Sequence, residues 1–164
     1  MTARPATKRR ALAVGALCAI GVAAVGGMAT EIGPWYDALE KPSWQPPDWL
    51  FGPAWTVIFA LCAFSFAEAW ALAPSRALRY MIAWLFAFNM FLNVAWSVLF
   101  FSARRPDWAL VEVALLWLSI AALIYALRPF ARRAALLLVP YLVWVSFAAL
   151  LNWEVVRLNA PFGG

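Results

Sequence analysis

Five apolar stretches, each close to twenty residues long and nearly free of charge, constrain this chain more than any other feature. They cover residues 11–30, 49–70, 80–101, 108–127 and 134–156. About twenty apolar residues are what a helix needs to cross the hydrocarbon core of a bilayer. Inside that core each backbone amide must find its partner within its own segment or a closed barrel. Barrel strands would be roughly ten residues long with alternating polarity, and nothing here alternates in that way. The fold class expected is therefore all-α, an integral membrane bundle of five transmembrane helices forming a single domain over 1–164. Composition agrees: 66% of the residues are hydrophobic and 13% charged, far from the near-half and quarter of a soluble domain.

The cations sit at the ends of the apolar runs, where membrane topology places them, so the net charge of +5 gives no reason to expect nucleic acid as a partner. One side of the bundle carries Arg4, Lys8, Arg9, Arg10, Arg76, Arg79, Arg128, Arg132 and Arg133, nine in all; the other carries Lys41, Arg104, Arg105 and Arg157, which is four. That bias predicts a cytoplasmic N-terminus and an outward-facing first loop, 31–48. The N-terminal cations followed by an apolar run also resemble a signal peptide. The run lasts twenty residues without a clean small-x-small site, so a retained span is expected. Links between later spans are short, which predicts that helices consecutive in sequence are antiparallel neighbours. Gly15, Ala19, Ala23 and Gly27 recur every four residues, a stripe on which helix backbones can approach closely in lipid. Ala83 and Ala87 offer a weaker stripe on the third span.

No histidine is present, which removes the commonest metal ligand and the commonest neutral-pH base. Cys18 and Cys62 both lie inside apolar runs and form no motif. Neither a metal site nor a nucleophile–base pair is expected. The chemistry lies instead in aromatic and amide groups. Lys41 to Trp55 reads KPSWQPPDWLFGPAW, with four prolines and three tryptophans. Pro42, Pro46 and Pro47 fix their backbone torsions and lack amide donors, so the loop is stiff and non-helical. Asp48 is expected to cap the second span. A stiff loop that presents Trp35, Tyr36, Trp44 and Trp49 can serve as a lid. Beneath it, helical spacing places Trp55, Phe59 and Cys62 on one face of the second span, and Asn89, Asn93, Trp96 and Phe100 on one face of the third. Tyr141, Trp144, Ala148 and Asn152 share a face of the fifth. The topology puts Trp55, Asn93, Ala148 and Asn152 in the outer half of the membrane, with Asn89 and Trp144 near its middle. Such a pocket suits a flat, largely apolar ligand with a few polar edges.

These residues carry a resemblance. WYDALEKPSWQPPDWLFGPAWTVIF is similar to the signature of the TspO/MBR family, which includes bacterial tryptophan-rich sensory proteins and the mitochondrial translocator protein. NVAWSVLFF, RRPDWALVEVALLWLSI and PYLVWVSFAALLNWEVVRLN extend the similarity in order from about residue 35 to 159. The resemblance implies a five-helix bundle, often a homodimer, whose pocket is closed by the first loop. It implies binding of porphyrins such as protoporphyrin IX, of benzodiazepine-site compounds and, in some members, of sterols. By position the pocket residues are Trp55, Asn89, Asn93, Trp144 and Ala148, with Trp35 and Trp44 at the mouth. Family members often carry glutamine where the shorter Asn89 stands. The chain from Leu123 to Arg128 matches a sterol-recognition pattern formally, but such patterns are weak, and a sterol is the lesser expectation.

Three function classes follow from this. A receptor or sensor for tetrapyrroles, regulating their handling and needing no obligatory cofactor, is favoured. A transporter of porphyrin or sterol is the second, weakened because Glu68, Glu112 and Glu154 lie near span ends whereas proton-coupled carriers place a carboxylate deep in the membrane. The third is a light-dependent porphyrin-degrading enzyme, with Trp55 and Trp144 as electron donors to the bound chromophore. Expected partners are a hydrophobic small molecule, membrane lipid and a second copy of the chain. The host is expected to be a bacterial membrane, with inner and outer both open.

Overall fold

The computed structural model describes residues 5–30 and 32–162. Among them there is no strand. Helix α1 spans Pro5–Ala29, and a short helix α2, Pro34–Asp37, lies in the first loop. A single 3-10 turn, Asp48–Leu50, leads into α3, Phe51–Leu72. Helix α4 covers Arg76–Ser97 and runs into a π-helical turn, Val98–Ser102. Then come α5, Pro106–Leu127, the short α6, Arg132–Leu137, and α7, Val139–Asn159. Five of the resulting segments are long and apolar enough to span a membrane: Thr7–Ala29, Asp48–Leu72, Arg76–Ser102, Pro106–Leu127 and Arg132–Asn159.

The helix limits have local causes. The third span begins a turn earlier than hydropathy predicts because Ser75 caps it, its Oγ accepting from Leu78 N at 3.1 Å. Asp48 does not cap the second span as expected. It is itself the first residue of the 3-10 turn, and its carboxylate is engaged by the loop instead. Pro140 lacks an amide donor, so the fifth span breaks at Leu138 into α6 and α7.

Packing departs from simple sequence order. Helix α1 lies along α3, α5 is flanked by α4 and α7, and α3 meets the last span chiefly through α6. Although the Ala73–Ser75 link joins α3 to α4, these two meet less extensively than α1 and α3 do. The reason is a hollow between them at one end of the bundle. The other end, with the links 73–75 and 128–131, is solid. There Ile82, Ile120, Leu123, Leu127 and Leu138 are all fully buried, and Phe66 meets Phe86 edge-on at 5.3 Å. Lys8 pairs with Glu68 at this closed end.

The small-residue stripe of α1 divides between two jobs. Ala19 is buried, and a Cβ placed on Gly15 would meet Phe66 at 3.2 Å and the Ala63 carbonyl at 3.3 Å. A Cβ on Gly27 would meet nothing within 4 Å, and both Ala23 and Gly27 face the hollow. Close backbone approach is thus confined to the Gly15 turn. Gly15→Leu should force α1 off α3 and lower the thermal midpoint in detergent by a margin equivalent to about 2 kcal/mol, whereas Gly27→Leu should not. Equal midpoints for the two variants would contradict this packing.

Candidate functional site

The hollow is a cavity of about 800 Å³ bounded by α1, α3, α4, α5 and α7 and covered by the first loop. Its walls are largely apolar, with small and aliphatic residues on the α1 side and aromatic rings on α3, α4 and α7. Trp55 stacks on Phe59 with centroids 5.3 Å apart, and Trp96 on Phe100 at 5.0 Å. Phe51 meets Trp144 edge-on at 5.7 Å. The π-helical turn matters here. It carries a bond from Ala103 N to Val98 O of 2.8 Å, and the extra residue in this turn lets the consecutive Phe100 and Phe101 both reach the cavity.

Amide groups are placed by a buried network. Asn93 Nδ2 donates to Tyr141 Oη at 3.1 Å. Its carbonyl oxygen has no partner among the described residues, which leaves an acceptor for a ligand. Asn152 Nδ2 donates to the Pro106 carbonyl at 2.9 Å, while its Oδ1 accepts from Trp96 Nε1 at 3.1 Å. One side chain thereby ties α7 to α5 and fixes the plane of a wall indole.

Of the residues expected to touch ligand, Trp55, Asn93, Trp144 and Ala148 line the cavity together. Asn89 does not line it. It is buried against α5, with Nδ2 donating to Ser119 Oγ at 2.8 Å. Trp35 and Trp44 lie outside the lining as well. Trp35 sits edge-on to the wall residue Phe100 at 6.2 Å, and Trp44 edge-on to Phe147 at 5.8 Å, which in turn packs on the wall residue Trp144. Among the described residues no three metal-ligating side chains gather.

Two polar assemblies went unread in the sequence. At the mouth, Tyr36 Oη donates to Asp48 Oδ1 at 3.1 Å, and Gln45 Nε2 reaches both Tyr36 Oη and Asp48 Oδ1 at 3.2 Å. All three line the cavity. Their only sequence signal was the three-residue spacing of Gln45 and Asp48 across the Pro46-Pro47 pair. Burial, reinforced by the Asp48 carboxylate, pushes the Tyr36 phenol up to about 12. Because the neutral form is favoured, the network is whole below the ordinary phenol value of about 10 and is lost as pH climbs through about 12. A tyrosinate absorbance titration of wild type minus Tyr36→Phe should show a step near the upper value; a step near pH 10 would contradict the network.

The second assembly latches the lid. Asn159 Oδ1 accepts from Glu40 N at 2.8 Å, while Asn159 Nδ2 donates to Glu40 O at 2.8 Å and to Val155 O at 2.8 Å. A side-chain amide thus pairs with one peptide of the loop as a neighbouring strand would. Asn159→Ala should raise hydrogen exchange at the Glu40 amide roughly tenfold, read by mass spectrometry; unchanged exchange would mean that the latch holds nothing.

Glu112 was expected near the end of a span. It is buried, and neither carboxylate oxygen has a hydrogen-bond partner. It lies six residues into α5 from Pro106, roughly 9 Å along the helix. Its neighbours Val113 and Leu116 line the cavity.

Comparison with known proteins places this architecture. The TspO/MBR family model matches residues 13–158. The tryptophan-rich protein TspO of Chlorobaculum tepidum is 38% identical over 149 residues, 91% of this chain and 94% of that protein. Protein CrtK of Rhodobacter capsulatus is 36% identical, covering 86% of this chain and 88% of its own. The human translocator protein is 35% identical over 131 residues, 79% of this chain and 78% of that one. A match over nearly the whole bundle, with five apolar helices long enough to cross a bilayer, makes this a multi-pass integral membrane protein of the TspO/MBR family.

Proposed function

We propose that this protein is a membrane receptor or sensor that binds porphyrins, protoporphyrin IX or a haem-type tetrapyrrole, in the cavity beneath the first loop, and so regulates tetrapyrrole handling. Benzodiazepine-site compounds would use the same space. The observation that carries the reading is the cavity itself: about 800 Å³, largely apolar, with indole and phenyl rings on several sides and a few fixed polar groups. Flat ligands gain by stacking on such walls, and the amides orient them. The name of a relative from Cereibacter sphaeroides, tryptophan-rich sensory protein, is consistent with sensing. The working form is a homodimer in a bacterial membrane with a cytoplasmic N-terminus. Ala87 supports self-association through α4, since it lies on a lipid-facing surface with Trp84, Phe88 and Phe91.

Titration of protoporphyrin IX into detergent-purified protein, followed by tryptophan quenching, tests the reading. Trp55→Ala and Trp144→Ala should each weaken binding about tenfold. Affinity that is indifferent to both would place the ligand elsewhere.

Glu112 favours a second reading, in which the protein carries its ligand across the membrane. A carboxyl occluded within a span, unpartnered and beside the cavity wall, is what proton-coupled carriers possess. Counter-flow of porphyrin into proteoliposomes decides between the two: uptake above empty vesicles, lost in Glu112→Gln, supports transport, and none removes it.

A further inference from the structure

The cavity is almost without charge. Asp48 is the single formally charged side chain among its lining residues, and it is an anion. An ionised carboxylate on a ligand therefore finds no cation inside and meets repulsion at the mouth. Burying it unpaired would be costly. Its partners must lie at the rim.

Two cations lie behind aromatic rings at this end of the bundle, Lys41 one ring removed from the cavity and Arg104 two. Lys41 Nζ sits 3.8 Å from the centroid of the Tyr36 ring, and Tyr36 is a wall residue. The Arg104 guanidinium lies 5.9 Å from the ring of Trp35, which packs edge-on against the wall residue Phe100. Contact with a ring face positions a cation without consuming its hydrogen-bond donors. The neighbouring Arg105 differs: its Nε donates to Asp107 Oδ1 at 2.8 Å. Among the described residues neither Lys41 nor Arg104 joins an ion pair.

The backbone at Arg104 adds an independent observation. Its φ is 54°, in the left-handed region. It directly follows the π-helical turn and Ala103, with Arg105 N bonded to Leu99 O at 2.9 Å. Glycine is the usual occupant at such a helix end. The fold alone would be served better by glycine, so the arginine side chain is retained against local preference.

We infer that Lys41 and Arg104 form a carboxylate-binding subsite at the rim, and that the ligand is an apolar disc with ionised carboxylates along one edge, seated disc inward and edge outward. This rests on the cavity being the binding site. The subsite selects for charge at one edge, and the aromatic walls select for a flat apolar body. Guanidinium and ammonium donors each form a charge-assisted bond to a carboxylate oxygen.

The test compares protoporphyrin IX, which carries two carboxylates, with its uncharged dimethyl ester. Both are titrated by tryptophan quenching into wild type, Lys41→Gln, Arg104→Gly and the double variant. Wild type should prefer the acid. Each single variant should lower acid affinity about fivefold and the double variant about twentyfold, with ester affinity moving less than about twofold. Added salt should weaken acid binding only. Arg104→Gly should keep or raise the thermal midpoint, because glycine suits the left-handed backbone, so lost binding could not be ascribed to unfolding. An acid-over-ester preference that survives in the double variant overturns the rim subsite alone. Ester binding that ignores Trp55→Ala and Trp144→Ala overturns the cavity reading itself.

Discussion

Replacing Ala148 by tryptophan should abolish ligand binding while leaving the bundle folded. Ala148 lies one helical turn from Trp144 on α7, and both line the cavity. Helical residues four apart project from the same face, so an indole at 148 would enter the space over which Trp55 and Trp144 present their rings. A cavity of about 800 Å³ can accept that ring without displacing a helix, so the overpacking penalty of a solid core is not incurred. Filling a void with apolar surface stabilises in its own right. A flat ligand, however, loses the face on which it stacks. Affinity should fall at least about a hundredfold, close to 3 kcal/mol, with the thermal midpoint equal to or above that of wild type. Quenching titration and thermal unfolding of the same preparation check both halves. Wild-type affinity in Ala148→Trp would mean that the cavity is not where the ligand sits.

Much of this architecture was legible because a bilayer permits so few solutions. Twenty apolar residues imply a helix, helical spacing set out the face on each span, and topology with the family resemblance brought Trp55, Asn93, Trp144 and Ala148 together. Spacing misled at Asn89. Four residues advance a helix by about 400°, some 40° past a full turn, so Asn89 is rotated from the Asn93 direction and reaches Ser119 on α5 rather than the cavity. Of the lid aromatics named from the sequence, Tyr36 and Trp49 line the cavity and Trp35 and Trp44 do not. Trp35 and Trp44 brace Phe100 and Phe147, and the groups at the mouth are Tyr36, Gln45 and Asp48. That arrangement depends on how the loop packs against the π-helical turn after α4 and against α7, which no local pattern encodes. The Glu40–Asn159 pairing joins residues 119 apart in sequence, and an asparagine near a helix end carries no signal of such a distant partner. Glu112 illustrates a different limit. Sequence gives its distance from the end of the span, but not the packing that buries it.

The largest stability effect is expected at Asn152. This side chain is 1% exposed and bonds two groups on other helices: the Pro106 carbonyl opening α5 and the Trp96 indole N–H. Interhelical hydrogen bonds in membrane proteins average only about 0.6 kcal/mol, because the unfolded chain within lipid also finds partners. Removal is harsher than that mean here. Asn152→Leu deletes two interhelical bonds and strands the part-buried Trp96 donor, which costs about 1–3 kcal/mol, while the Pro106 carbonyl keeps its bond within α5. The expected loss is about 2–4 kcal/mol, large beside the 5–15 kcal/mol of a typical fold. Asn152→Asp provides the internal gradation: buried without a cation its carboxyl is protonated, so it can accept from Trp96 and donate to Pro106, and it should fall between wild type and leucine. Trp96 is also a wall of the cavity, and freeing its N–H releases the ring from its stack on Phe100. Asn152→Leu should therefore lose ligand affinity together with stability, whereas Ala148→Trp separates the two. Thermal unfolding of the three proteins in one detergent reads the order directly. A leucine variant as stable as wild type would show that the α5–α7 seam rests on van der Waals packing and not on this amide.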